Sequence, residues 1–375
     1  LNLYNIPPGE PFLDVVARVW LAQHGAGPDR LARGLILLPT RRAARALADS
    51  FLRASDGRPL LLPRIAAIGA LDEAPLTLAG ALTLPPSVEP AQRLAVLTRL
   101  ILQLRGAAGA PTSADRAWRL AEELAALMDE AERSEIDLSA RLPDAADPRY
   151  AEHWAQTLKF LAIVTRTWPD WLAEQGLLNP VMRQVRLMDA QAQAWTATPP
   201  EDPVWIAGTV GGMPALARLL RVVAALPNGA VVLPGVDFDL SPEAWEALDE
   251  SHPQFGLRRL LASFGARRED VQTFSEGRGL FGRAALWSHA MLPAASLGAW
   301  QAGAQYGSLT GLTRLEAGDQ QEEAAAIALV LRGALQHLGA RAALVTPDRA
   351  LAARVSAELL RYGVVADDSA GEELA

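Results

Sequence analysis

Residues Leu35–Phe51 read "LILLPTRRAARALADSF". Four successive apolar residues predict a strand buried on both faces. Pro39 and Thr40 end it. The stretch from Arg41 then repeats apolar positions at helical spacing, with Thr40 placed as an N-cap. A strand that breaks into a helix at a polar corner can hold a phosphate, because the first helical N–H groups point out of the helix end. The corner Thr40-Arg41-Arg42 therefore admits two readings. One is a phosphate site built from a hydroxyl, two guanidinium groups and a helix N-terminus. The other, commoner on local features, is an ordinary N-cap with two solvated arginines.

Outward from this stretch the pattern alternates. "LNLYNI" predicts a strand, "EPFLDVVARVWLAQHG" a helix with Pro11 in its first turn, and "RPLLLPRIAAIG" a third strand. The unit is βαβαβ, so a parallel sheet with right-handed crossovers is expected. From about Pro86 to Thr198 every stretch carries helix-period apolar stripes, and no strand is expected there. The sheet then resumes with "DPVWIAG", a helix "MPALARLLRVVAALPNG", and the strand "GAVVLPGVDFD". A looser helical stretch follows. Beyond Gly311 come two further strand–helix pairs, with strands expected at "TRLEAG" and "ARAALVTP". The expected division is 1–85 and 199–305 as two halves of one α/β domain, 86–198 as a helical insertion, and 306–375 as the start of a second α/β domain.

Composition narrows the chemistry. The 375 residues contain no cysteine, which excludes disulfides, thiolate zinc sites, iron–sulfur ligation and Cys nucleophiles within this span. The formal charge of −8 argues against a general polyanion binder, although local basic grooves remain compatible with it. No apolar run reaches the length of a membrane span, and the first residues do not read as a signal peptide, so a cytoplasmic protein is expected. Lys159 is the one lysine, and it lies in a helical stretch without glycine. A standard phosphate-binding P-loop, which needs a lysine beside its Gly-rich turn, is thereby excluded.

Other candidates are weaker. In "IPPGEPF", after the first strand, Pro7 and Pro8 remove the N–H donors a nucleotide loop needs. In "IAGTVGGMPA", Thr209 and Gly211 lie where a strand enters a helix, which suits either backbone approach to a phosphate or a tight turn. Asp237 and Asp239 stand at a strand end without an evident third metal ligand. The histidines His24, His153, His252, His289 and His337 lack metal-ligand spacing.

The order of these pieces resembles superfamily 1 helicases of the UvrD/RecB type: an α/β half, a helical insertion, the second α/β half, then another α/β domain. Thr40-Arg41-Arg42-Ala43-Ala44 matches that family's Thr-x-x-Ala-Ala motif, which touches the backbone of single-stranded DNA. The ATP motifs are missing at each expected place. "IPPGEPF" stands for the Gly-Lys-Thr loop, and Ala207 and Gly208 stand for the Mg-binding Asp-Glu. "VVLPGVD" stands for the motif with Gly-Asp and Gln. Such a helicase core without ATP chemistry is similar to the AddB subunits of AddAB helicase–nucleases. The wording is nearest their alphaproteobacterial form, in blocks such as "YNIPPGEPFLDVVAR", "ILLPTRRAARAL", "IAGTVGGMPALARLL", "HPQFGLRRLL" and "ALVTPDRALAARV".

The resemblance covers essentially the whole chain. It implies a role in double-strand-break repair, with an AddA-like ATP-driven motor subunit and single- and double-stranded DNA ends as partners, and no membrane. It implies strand contacts at Thr40, Arg41 and Arg42, with Thr209 and Gly211 secondary, and recognition of a recombination hotspot sequence. An iron–sulfur cluster and Mg would belong to a nuclease region beyond residue 375, so no cofactor and no enzymatic activity are expected for residues 1–375 alone. Two alternatives stay open: a nucleotide-binding or GT-B-like two-lobed enzyme, and a protein–protein scaffold without DNA affinity.

Overall fold

The computed structural model describes residues 1–25, 27–71, 84–103, 113–142, 160–274, 281–301 and 311–368. Lys159 and His153 fall outside them. The chain divides into two compact units, Leu1–Ser308 and Leu309–Ala375.

The first unit is α/β. Strand β1 (Leu3–Ile6) is followed by helices α1 (Phe12–His24) and α2 (Pro28–Ala32). Next come β2 (Leu35–Leu38), α3 (Arg41–Ala54) and β3 (Arg64–Ala67). A helical segment contains α4 (Pro90–Gln103), α5 (Ala114–Arg133), α6 (Leu138–Arg141), a π-helical turn (Ile163–Thr167) running into α7 (Trp168–Gln175), and α8 (Pro180–Ala197). The sheet resumes with β4 (Val204–Ala207), α9 (Pro214–Ala225) and β5 (Gly229–Pro234). Then come α10 (Pro242–Glu246), α11 (Phe255–Phe264), β6 (Gln272–Thr273), α12 (Phe281–Ala290) and α13 (Gly298–Gln301).

The six strands form one sheet, in the order β3-β2-β4-β5-β1-β6, and every pairing is parallel. The register sets Leu3 opposite Val231 and Leu37 opposite Ile206. The continuous apolar runs serve two cores, because successive strand side chains point to opposite faces. Leu37, Val204, Ile206, Val231 and Leu233 pack under α8, α9 and α11. Ile36, Leu38, Trp205, Ala207 and Val232 pack under α1 and α3. In the second core the fully buried Trp20 meets Trp205 edge-on at 4.6 Å and donates its indole N–H to the Leu31 carbonyl at 3.4 Å.

The helical segment has a core of its own around Leu97, Ile101, Leu124, Met128 and Trp168. Buried Arg93 ties α4 to α5, donating to Asp129 at 2.7 Å and to the Ala125 carbonyl at 3.1 Å. Between β3 and β4 the described residues contain no strand, only an isolated parallel bridge from Ser87 to Leu178.

Three expectations are corrected. The third strand begins only at Arg64, because Pro59 and Pro63 have no N–H to give a ladder. The stretch after β5, expected to be helical, contributes the two-residue edge strand β6. In the second unit α14 (Gln320–Ala334) and α15 (Arg349–Leu360) form as expected, packing through Ala324, Ala328, Val355 and Leu359. The strands expected at "TRLEAG" and "ARAALVTP" do not form, and none occurs among the described residues of that unit. Among the described residues these segments have no neighbouring strand to bond to, and apolar side chains such as Val345 stay exposed. Among the described residues no helix is long and apolar enough to cross a membrane.

Candidate nucleic-acid interface

All strands run the same way, so the turns after β1, β2, β4 and β5 emerge along one edge, where open α/β sheets receive ligands. The β2 and β4 strands are direct neighbours, about 4.8 Å apart. Their exits touch: a methyl group on Gly208 would lie 3.2 Å from the Phe12 ring and 3.7 Å from Pro39. Gly208 adopts a φ of +78°, which also favours glycine there. The Thr40 corner and the glycine-rich turn after β4 therefore form one continuous surface.

Thr40 is the N-cap of α3, with extended backbone and its Oγ1 accepting the Ala43 N–H at 3.0 Å. The hydroxyl proton is still available to an acceptor outside the helix. Thr40, Arg41 and Arg42 are all exposed. Exposed Arg45, one turn beyond Arg41, extends the positive end of α3. The same helix buries Leu47, Ser50 and Phe51, and anchors its far end by Arg53 donating to Asp14 at 2.5 Å. The corner thus presents a hydroxyl, guanidinium groups and a helix N-terminus from a rigid mount, a set that suits an anionic oxygen.

Thr209 and Gly211 are not presented in the same way. Both are buried, and Thr209 Oγ1 accepts the Gly211 N–H at 3.3 Å. Gly211 has a φ of +90°, and a methyl group there would sit 2.7 Å from Leu260 Cδ1. Its job is to let α11 approach the turn. From this turn only Val210 and Gly212 are exposed.

The turn after β1 is drawn to β5. The Gly235 N–H donates to the Ile6 carbonyl at 3.0 Å, and Gly235 abuts Pro8. The Asn5 side chain, only 3 % exposed, accepts the Val236 N–H at 2.8 Å. Gln254 grips the same loop, donating to the Gly235 carbonyl at 2.9 Å and accepting the Asp237 N–H at 3.1 Å. Buried Arg268 donates to the carbonyls of Asp237 and Leu240, each at 2.9 Å, and lies over the Trp245 ring. Asp237 Oδ1 accepts the N–H groups of Asp239 and Leu240, so that carboxylate closes the loop. Desolvation, with Asp237 adding to it, pushes the Asp239 carboxyl above its usual range. Among the described residues no group of three His, Asp or Glu side chains could hold a metal ion.

His252 is not a free imidazole. Its Nδ1 accepts the Gln254 N–H at 3.1 Å, which leaves Nε2–H to donate to the Met291 carbonyl at 2.7 Å. These loop-fixing residues, Asn5, His252, Gln254 and Arg268, were not anticipated from sequence. The one available signal was a lone amide in the apolar strand "LYNI". Around the loop opens a cleft of about 630 Å³, bounded by Pro7 and Pro8, the Val236–Asp239 loop and one face of α12.

No protein-family model matches the chain, and no curated protein matches it.

Proposed function

We propose that this chain is a catalytically silent, helicase-like part of a DNA double-strand-break repair subunit, similar to AddB. It binds single-stranded DNA and an ATP-driven motor subunit during end resection, with hotspot recognition as the family's further role. In this reading 1–85 with 199–305 correspond to the first helicase domain, 86–198 to its helical insertion, and 306–375 to the start of the second domain.

The observation that carries the proposal is the contrast between neighbouring strand exits. After β2, Thr40, Arg41 and Arg42 stand exposed on a capped helix N-terminus. After β1, Pro7 and Pro8 offer no amide donors, and the end of β4 carries Ala207 and Gly208 instead of carboxylates. This contrast supports a passing phosphodiester over a triphosphate and its metal at this edge. Buried Thr209 and Gly211 shape the floor of that path instead of touching the strand.

Fluorescence anisotropy with a labelled single strand, at several salt concentrations, tests this. Salt-sensitive binding, weakened by Arg41→Ala/Arg42→Ala and unchanged by ATP, is expected. No binding at low salt would favour a protein scaffold, and displacement by ATP would favour a nucleotide enzyme.

A further inference from the structure

The cleft beside β1 and β5 has no part in the phosphate path just described. Its volume, about 630 Å³, lies in the range of small-molecule sites. Its walls mix prolines and apolar side chains with polar ones, and two aromatic residues on them are open to solvent: Phe238 is 46 % exposed and Trp287 is 63 % exposed. Met291, also on the wall, is 42 % exposed. Exposed apolar side chains gathered on one concave wall and rimmed by polar groups mark a binding surface, which singly scattered ones do not.

One polar group at the cleft is out of place for a mere surface dent. Asn5 is 97 % buried by its 3 % exposure and borders the cleft. Its Oδ1 is committed to the Val236 N–H, while its Nδ2, which donates to no acceptor among the described residues, is not sealed from solvent. An amide donor that reaches solvent from an otherwise buried, fixed side chain is available to a ligand acceptor. The lining pairs Arg283 with Asp237 and Asp239, which leaves no surplus of positive charge for a phosphate. Pro7 and Pro8 remove backbone donors on the same side.

We propose that this cleft binds a planar, uncharged heteroaromatic ring of nucleobase size, stacked on Trp287 and accepting a hydrogen bond from Asn5 Nδ2. A purine or pyrimidine has the π face for the first contact and ring nitrogen or carbonyl acceptors for the second. The ring comes either from a free nucleoside or from a base turned out of a DNA strand, its phosphates lying outside the cleft in both cases.

The test is saturation-transfer NMR and titration of the 375-residue chain with adenosine, guanosine, cytidine and thymidine. At least one is expected to bind, with affinity reduced about fivefold or more in Trp287→Ala, as loss of a stacking platform implies, and restored in Trp287→Phe. Trp118→Ala, on α5 and away from the cleft, serves as the unchanged control. Absence of binding by all four nucleosides, or equal affinity in Trp287→Ala, overturns the proposal. A base-bearing oligonucleotide and an abasic one, added as competitors, separate the sources. Displacement by the base-bearing strand alone assigns the ring to a DNA base, and any other pattern assigns it to a free nucleoside. The Arg41→Ala/Arg42→Ala variant retains nucleoside binding, so this proposal and the DNA-backbone reading fail separately.

Discussion

Arg218 on α9 grips Glu135, just past the end of α5, through two parallel hydrogen bonds of 2.9 and 2.6 Å. The same guanidinium holds Asp189 on α8 at 2.8 and 2.9 Å. Three helices from two cores thus meet at one side chain, and the two carboxylates push the Arg218 pKa up. Because Arg218 is 46 % exposed, its contribution is modest. Arg218→Met is expected to lower stability by about 1 kcal/mol, with less difference at high salt, measured by urea unfolding.

Thr40 separates capping from strand binding. Thr40→Ala removes the acceptor for the Ala43 N–H and is expected to cost about 1 kcal/mol in thermal or chemical unfolding. Thr40→Asp keeps a good cap and adds a negative charge at the proposed phosphate path. It is expected to hold wild-type stability while weakening single-strand affinity at low salt. Equal DNA affinity in both proteins would remove Thr40 from the path.

Each of Arg41 and Arg42, if it neutralises one phosphate, adds about 0.7 to the slope of log affinity against log salt for a single strand. The double alanine variant is therefore expected to flatten that slope by about 1.4. An unchanged slope with lower affinity would mean that the arginines act without displacing counterions.

Gly211→Ala is expected to destabilise the first unit by about 1–3 kcal/mol, since it forces a side chain into positive φ. Leu260→Ala in the same chain removes the atom it strikes, so the two changes together should cost less than their sum. Strict additivity in a denaturant-unfolding cycle would contradict the close packing of this turn on α11.

Glu132 supplies a pH test. Half-buried on α5, it accepts the Asn179 side-chain N–H at 2.5 Å and the Met182 N–H at 3.1 Å, and Asn179 in turn accepts the Trp168 indole N–H at 3.0 Å. Burial outweighs these bonds and raises its pKa above the ordinary value of 4.5. The folded chain then holds more protons than the unfolded chain just above pH 4.5, so this group's contribution to stability falls as pH rises through that window. Glu132→Gln is expected to remove that part of the pH dependence in unfolding curves collected from pH 4 to 7.

Much of the first unit was legible because its strands are buried on both faces. β1, β2, β4 and β5 each carry an uninterrupted or nearly uninterrupted apolar run, and Thr40 marks the start of α3 by its capping chemistry. β6 was not legible: its two residues are exposed and pair only with β1, so no burial pattern betrays them. The unit after Leu309 misled for the opposite reason. "AALV" has strand-like residues, yet a strand exists only by virtue of a neighbour, which local sequence does not report. Thr40, Arg41 and Arg42 lie together in sequence and could be read together. Asn5, Gln254 and Arg268 converge on one loop from positions far apart, and only the fold joins them.

The position of β1 sets an order on synthesis. Strand β1 lies between β5 and β6, and Asn5 waits for Val236, 231 positions later in the chain. At ribosomal speeds of about 5–20 residues per second, that wait lasts roughly 10–50 s. Throughout it "LYNI" has neither of its eventual neighbours, while β2 and β3 can already pair. The nascent chain must therefore carry an unpaired apolar strand ahead of β2 for most of the time the first unit takes to emerge, the interval in which a chaperone would find it.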